Sequence, residues 1–423
     1  MIALGRVSTF AALRHPNYRL FWTGAVVSLV GMWVQSTATG YFVWELTRSP
    51  FATSMTALFF GLPSTVLALF GGVIADRVDR RRLLLVTQGV FMLSAVVLAA
   101  LTFSGLVRVW HIYLLSLVNG TVMAFDAPTR QSMIPSLVAR EDLTNAIALN
   151  SAAFNGSRVV GPPIGGIIYA SFGPAWAFAL NAVTYPAILI ALCFIRPAAG
   201  VVRRLTHPWR DLREGLTYAA RTHLIRGLLL MVALAGTFAF TYVVLMPVIA
   251  SRVLGGGPRE NGFLIGSAGV GATLGALGVA SVGTPRRPGR LILGFGLTAS
   301  AGLMALATSR HLFLSMALTA FTAGAIMSFL SICNSTIQTY VPDALRGRIM
   351  SLYTFALIGS GPLNALLAGT LADTVGTPLA IAGSGVLMAA AIAVIASRHR
   401  VLIDLDTYEP TPGREPVLET VGR

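Results

Sequence analysis

The 423-residue chain is 55% hydrophobic and only 11% charged, with a formal charge of +15. Soluble domains carry about 25% charged residues, so this composition excludes a soluble globular protein and removes the nucleic-acid reading that so basic a chain would otherwise invite. All 31 basic residues are arginines, and without lysine there is neither a Walker A loop for a nucleotide nor a Schiff-base enzyme.

In chain order, Met1 to Arg19 is polar and basic, without the apolar core of a cleavable signal. Residues 1–17 are read as a cytoplasmic N-terminus. A membrane-crossing helix needs about 20 apolar residues, and twelve such runs follow at 18–43, 53–75, 83–104, 109–133, 144–170, 174–195, 225–251, 261–282, 290–308, 311–340, 345–371 and 377–397. The expected fold is an all-α membrane protein with six spans in 18–195 and six in 225–397. An even number of spans puts both termini on one side. Arginine decides which side: 25 fall in the segments assigned to the cytoplasm, whereas the opposite face has Arg48, Arg108, Arg252, Arg259 and Arg310. Basic loops stay inside, so both termini are expected in the cytoplasm. Trp44, Trp110 and Trp176 fall at outer span ends, as an aromatic belt requires.

The turn between spans two and three compresses four arginines and two aspartates into residues 76–82. The longest connector, 196–224, contains Trp209, Leu212, Leu216 and Ala219 or Ala220 on one helical face, with Arg210, Arg213 and Arg221 away from it. It reads as an amphipathic helix on the inner leaflet that links the halves. The tail 398–423, with Pro410, Pro412 and Pro416, reads as disordered. Cys193 and Cys333 lie in apolar runs and suit neither a disulfide nor a metal site. The six histidines are scattered at span ends or in loops, which argues against an enzyme.

Ionisable groups inside spans cost at least about 2.5–3.5 kcal/mol each and so point to function. They are Asp126 and Arg130, one helical turn apart on span four, and Arg158 on span five. Asp126 is the candidate proton carrier, switching between an arginine-paired anion and a lone neutral acid. The alternative is a permanent ion pair with Arg130 or Arg158 that holds spans four and five together. A third reading has Arg158 binding an anionic substrate. On span five, Ser157, Gly161 and Gly165 form a smooth ridge for close helix packing, and Pro162 and Pro163 bend the helix beside it.

Several of these strings resemble known ones. Gly72-x-x-x-Asp76-Arg77-x-x-Arg80-Arg81 resembles the loop 2–3 motif of the major facilitator superfamily of secondary transporters, with Asp79 where that motif has glycine. Ser157-x-x-x-Gly161-Pro162-x-x-Gly165-Gly166 resembles the fifth-helix motif of its proton-coupled drug antiporters, with serine for the first glycine. Asn17-Tyr18-Arg19-Leu20-Phe21-Trp22, Phe125-Asp126-x-Pro128-x-Arg130-Gln131 and Asn145-Ala146-x-x-Leu149-Asn150 are similar to the branch of enterobactin (siderophore) exporters and macrolide efflux proteins. Gln131-x-x-x-Pro135 is echoed by Gln338-x-x-x-Pro342, as a six-plus-six duplication requires.

The resemblance implies the major facilitator fold in the cytoplasmic membrane of a bacterium, with alternating access to a site between the halves. The expected activity is export of a small amphipathic molecule (drug, macrolide or siderophore), driven by proton antiport with no cofactor. Expected partners are that substrate and the lipid bilayer, with neither nucleic acid nor nucleotide. Asp76, Arg77 and Arg80, flanked by Gly72 and Arg81, would latch an inner gate, and Ser157 to Gly166 would be a packing hinge. Spans one, four, seven and ten would line the cavity with Trp33, Gln35, Tyr41, Asn119, Phe125, Tyr242, Asn334 and Gln338. Each of these eight residues could equally be helix-to-helix glue. The arginine usual on span four is absent, with Ser116 in its place, which puts the common proton mechanism in doubt. A lipid or lysolipid transporter on the same scaffold is the alternative function.

Overall fold

A computed structural model of the protein describes residues 9–195, 208–283 and 287–398, without the side chains of 69–77 and 208–212. Residues 1–8 of the expected N-terminal arm, residues 196–207 of the 196–224 connector and the tail beyond 398 lie outside the described residues. Described secondary structure is helical throughout. The first half holds α1 (Pro16–Thr47), α2 (Pro50–Arg77), α3 (Arg80–Phe103), α4 (Val109–Met133), α5 (Leu143–Phe172) and α6 (Pro174–Phe194). The connector holds α7 (Pro208–Arg221). There follow α8 (His223–Phe238), α9 (Thr241–Val244), α10 (Met246–Val248) and a π-helical turn, Ile249–Val253. The rest is α11 (Pro258–Val282), α12 (Pro288–Thr308), α13 (Leu312–Tyr340), α14 (Asp343–Gly359), α15 (Gly361–Thr374) and α16 (Thr377–Arg398).

Local chemistry sets many of these ends. Proline opens α1, α6, α12 and α15, where its missing N–H has no intrahelical partner to lose. Asp79, the departure from the loop motif, caps α3: its carboxylate accepts the Arg82 amide at 2.8 Å. Ten of the described helical stretches are long and apolar enough to cross a membrane. Two more, α4 of 25 residues and α5 of 30, are as long, and they contain Asp126, Arg130 and Arg158. Every run read as a span is thus occupied by helix. Exposed side chains such as Phe172, Val183 and Phe313 ring these helices, as lipid-facing surfaces do.

The chain divides into two compact units. The first joins Met1–Arg204 to Val244–Gly269. In it α1 packs on α5 and α6, α2 on α4, and α3 on α4 and α6. Tyr18, Phe21, Leu84, Met133, Ile188 and Leu192 fill its core at the end where α1 begins. At the other end, Pro247 of α10 lies 3.6 Å from where a Gly40 Cβ would be. Trp44 was expected in an interfacial belt with Trp110 and Trp176, which are exposed, but it is 1% exposed. The reason is cationic: Arg252 lies 4.8 Å and Arg48 5.9 Å from its ring centroid. Arg252 Nη2 also donates to the Arg48 carbonyl at 2.9 Å, and Arg48 ends α1 in the left-handed region at φ 54°.

The second unit joins Leu205–Val243 to Val270–Arg423. There α12 packs on α13 and α16, and α8 packs on α14 and α16. The run read as span seven is not one helix, and neither is span eleven. The first breaks between α8 and α9, the second at Ser360. The two breaks meet. Asn364 of α15 donates to the Thr237 carbonyl at 2.6 Å and to Thr241 Oγ1 at 3.0 Å, satisfying a carbonyl that the interrupted helix frees. α7 docks on α14 through buried Gly215 and Ala219, whereas Leu216, expected on its apolar face, is exposed.

Candidate functional site

Asp126 lies in the first unit and is 3% exposed. Its Oδ1 accepts from Thr87 Oγ1 and Gln88 Nε2, each at 2.7 Å, both on α3. Its Oδ2 faces Arg130 Nη2 at 3.3 Å and Nε at 3.4 Å. Gln88 Oε1 in turn accepts from Ser28 on α1 at 3.4 Å. One carboxylate thus ties three helices together, and the low dielectric around it strengthens every link. Arg130 Nη1 is buried without a hydrogen-bond partner among the described residues. The i, i+4 spacing exposed the Asp126–Arg130 pair in the sequence. Thr87, Gln88 and Ser28 were missed, although a Thr-Gln pair inside an apolar run was a signal.

Arg158 lies elsewhere. Its guanidinium sits 5.7 Å from the Trp33 ring centroid, and Phe154 meets the same indole edge-on at 6.1 Å. No carboxylate pairs with it among the described residues. Trp33 Nε1 and Ser157 Oγ, also on these facing helices, are buried without partners there.

α5 achieves its close packing as the ridge predicts. A Cβ on Gly161 would lie 2.5 Å from Trp33 Cβ, and one on Gly165 2.8 Å from the Val34 carbonyl, so this edge is pressed on α1. Gly166 faces α11: its Cβ would stand 2.5 Å from the Pro258 carbonyl and 3.0 Å from Gly262 Cα. Pro162 and Pro163 lie inside the helix between these contacts. The branch-specific strings also meet. Tyr18 donates to the Ala146 carbonyl at 2.7 Å and Trp22 to that of Leu149 at 2.9 Å, clasping the first turns of α1 and α5.

The remaining expected residues scatter. In the first unit Gln35 Oε1 accepts from Asn181 at 2.7 Å, and buried Tyr41 meets Tyr169 edge-on. Asn119 Oδ1 is buried without a partner among the described residues, and Phe125 is half-buried beside Asp126 in the chain. In the second unit Tyr242 is buried, and Gln338 donates to Asn334 at 2.5 Å on α13. Of the loop 2–3 motif, Arg81 caps α6, donating to the Leu192 carbonyl at 2.5 Å and that of Cys193 at 2.6 Å. Arg80 opens α3. The side chains of Asp76 and Arg77 lie outside the described residues, and Gly72 stands in the same stretch of α2.

Residues 7–420 match the family described as transmembrane secretion effectors. Among curated proteins, the enterobactin exporter EntS of Shigella boydii is 27% identical over 408 residues and that of Escherichia coli 26%, each match covering 94% of both chains. Among solved structures, the inward-facing bacterial homologue of the human lysosomal transporter Spinster superposes with a TM-score of 0.71 at 17% identity, covering 94% of this chain and 99% of that one. A bacterial homologue of the iron transporter ferroportin, also inward-facing, gives 0.71 at 14% identity, covering 93% and 99%. These likenesses establish the major facilitator fold.

Proposed function

Because the chain belongs to the transmembrane secretion effector family of major facilitator transporters, we propose that it exports a small amphipathic molecule of the siderophore class. Transport runs from the cytoplasm across the cytoplasmic membrane by alternating access, coupled to inward proton flow. The observation that carries this reading is a match to enterobactin exporters along 94% of both chains, not to a shared fragment. The site chemistry supports it. Arg158, inside a span and without a carboxylate partner among the described residues, offers a positive charge beside the Trp33 and Phe154 rings. A planar, acidic aromatic ligand suits that combination, because a guanidinium both pairs with anionic oxygens and stacks on rings. The proton site is Asp126 with Arg130, and the proton gradient replaces any cofactor.

Efflux of a panel of catechol siderophores, macrolides and dyes from cells, with and without a protonophore, tests the reading. Expulsion of a catechol compound is expected only with the gradient intact. Arg158→Gln should cut it at least tenfold at unchanged protein level, with Arg158→Lys retaining part. Efflux that ignores the protonophore removes proton coupling. A panel that stays inside while lysolipid crosses overturns the substrate class.

A further inference from the structure

Outside the transport machinery, α7 and the start of α14 enclose a cleft of about 620 Å³ in the second unit, lined by Arg213, Glu214, Thr217, Tyr218, Arg221 and Leu345. A Cβ on Gly215 would lie 3.3 Å from Arg348 Cβ and 3.6 Å from Leu352 Cδ1, so α7 is seated directly on α14. Glu214 forms an ion pair with Arg348, which offsets its negative charge. Arg213, Thr217 and Arg221 recur every four residues and share one face of α7. The two arginines are exposed, and neither has an ion-pair partner among the described residues. Among the described residues the cleft therefore presents two arginines without an ion-pair partner, about 12 Å apart along the helix. Half-buried Leu345 adds apolar surface to its lining.

We infer that this cleft binds the headgroup of an anionic phospholipid from the cytoplasmic leaflet, with Arg213 and Arg221 on the phosphate and Leu345 against the first acyl carbons. The pairing of cationic and apolar groups favours a lipid over a free anion, which would gain nothing from Leu345. Basic pockets at the cytoplasmic ends of membrane helices suit acidic headgroups, and each arginine near an acidic surface contributes about a fivefold gain in binding. The inference rests on the proposed orientation, which places α7 in the cytoplasm.

Purified full-length protein in nanodiscs of phosphatidylcholine, titrated with phosphatidylglycerol and followed by native mass spectrometry and thermal melting, provides the test. Phosphatidylglycerol should bind and raise the melting temperature. Arg213→Gln/Arg221→Gln should weaken binding about fivefold for each arginine removed, with melting in pure phosphatidylcholine unchanged. Arg82→Gln/Arg398→Gln, which removes equal charge elsewhere, should bind like the parent. Equal binding by the cleft variant overturns the inference, and so does equal weakening by the control pair. Displacement of the lipid by inorganic phosphate at matched concentration would assign the cleft to a soluble anion instead. Because lipid binding is read on purified protein, a failure of the siderophore panel leaves this result standing, and the reverse also holds.

Discussion

Asp126 turns one carboxylate oxygen to Arg130 and the other to two neutral donors, Thr87 and Gln88. Asp126→Asn keeps the shape but leaves the Arg130 guanidinium, 15% exposed, without its counter-charge. Breaking one side of a buried pair costs about 3–5 kcal/mol, much of it the stranded charge. Asp126→Asn should therefore lower the melting temperature of the purified protein markedly, and Asp126→Asn/Arg130→Gln should recover most of the loss. Thermal unfolding of the four proteins in a double-mutant cycle gives the coupling, and a coupling near zero would remove the pair from any role in the fold. Transport by the double variant then separates the two readings of Asp126: a stable protein without proton-driven efflux marks a carrier, a stable and active one a strut. The pair was legible because four residues make one helical turn. Its donors on α3 were not, because a threonine and a glutamine in an apolar run name no partner until another helix supplies one. Arg81 shows the same limit. Read by its motif it belongs to a gate, yet its side chain closes the last turn of α6.

Among the elements, α5 is the one whose sequence dictates its packing most directly. Gly165 and Gly166 press opposite neighbours, α1 and α11. Gly156, on the same helix, has nothing within 4 Å of its missing Cβ. Gly166→Leu forces the backbones apart and should cost about 1–3 kcal/mol or more. Gly156→Ala should stabilise by up to about 1 kcal/mol, since alanine is the better helix former. Thermal melting of the two variants decides it, and a neutral Gly166→Leu would show that α5 and α11 do not hold this contact in the membrane. The proline pair and small-residue ridge made this legible. The broken helices were harder to read. No proline or glycine stands at Ala239-Phe240, and the break depends on Asn364, 127 residues away from Thr237. Each of the two stretches is apolar enough to read as one span. The break at Ser360 is marked locally by Gly359, Gly361 and Pro362, whereas the one at Ala239-Phe240 is told apart from continuous helix only by its distant partner.

For the whole molecule, hydropathy places the twelve apolar runs that helix occupies, two of them broken, because burying backbone in lipid demands long runs of helix. Arginine placement is what supports the proposed orientation, on which hydropathy is silent. Fusions check it: a fluorescent protein after residue 398 should glow, and alkaline phosphatase at the same point should be silent. Alkaline phosphatase inserted after Gly105, between α3 and α4, should be active, and the reverse pattern would invert the proposed direction of export. One feature at the far end of the first unit makes such changes visible without a label. Trp44 lies beneath Arg48 and Arg252, so a single indole touches the close of α1 and the π turn of residues 249–253, segments about 200 positions apart in the chain. Any rearrangement that parts those segments lifts a cation from the ring and admits water, dimming its emission and moving it to the red. The protein carries its own optical gauge of that seam.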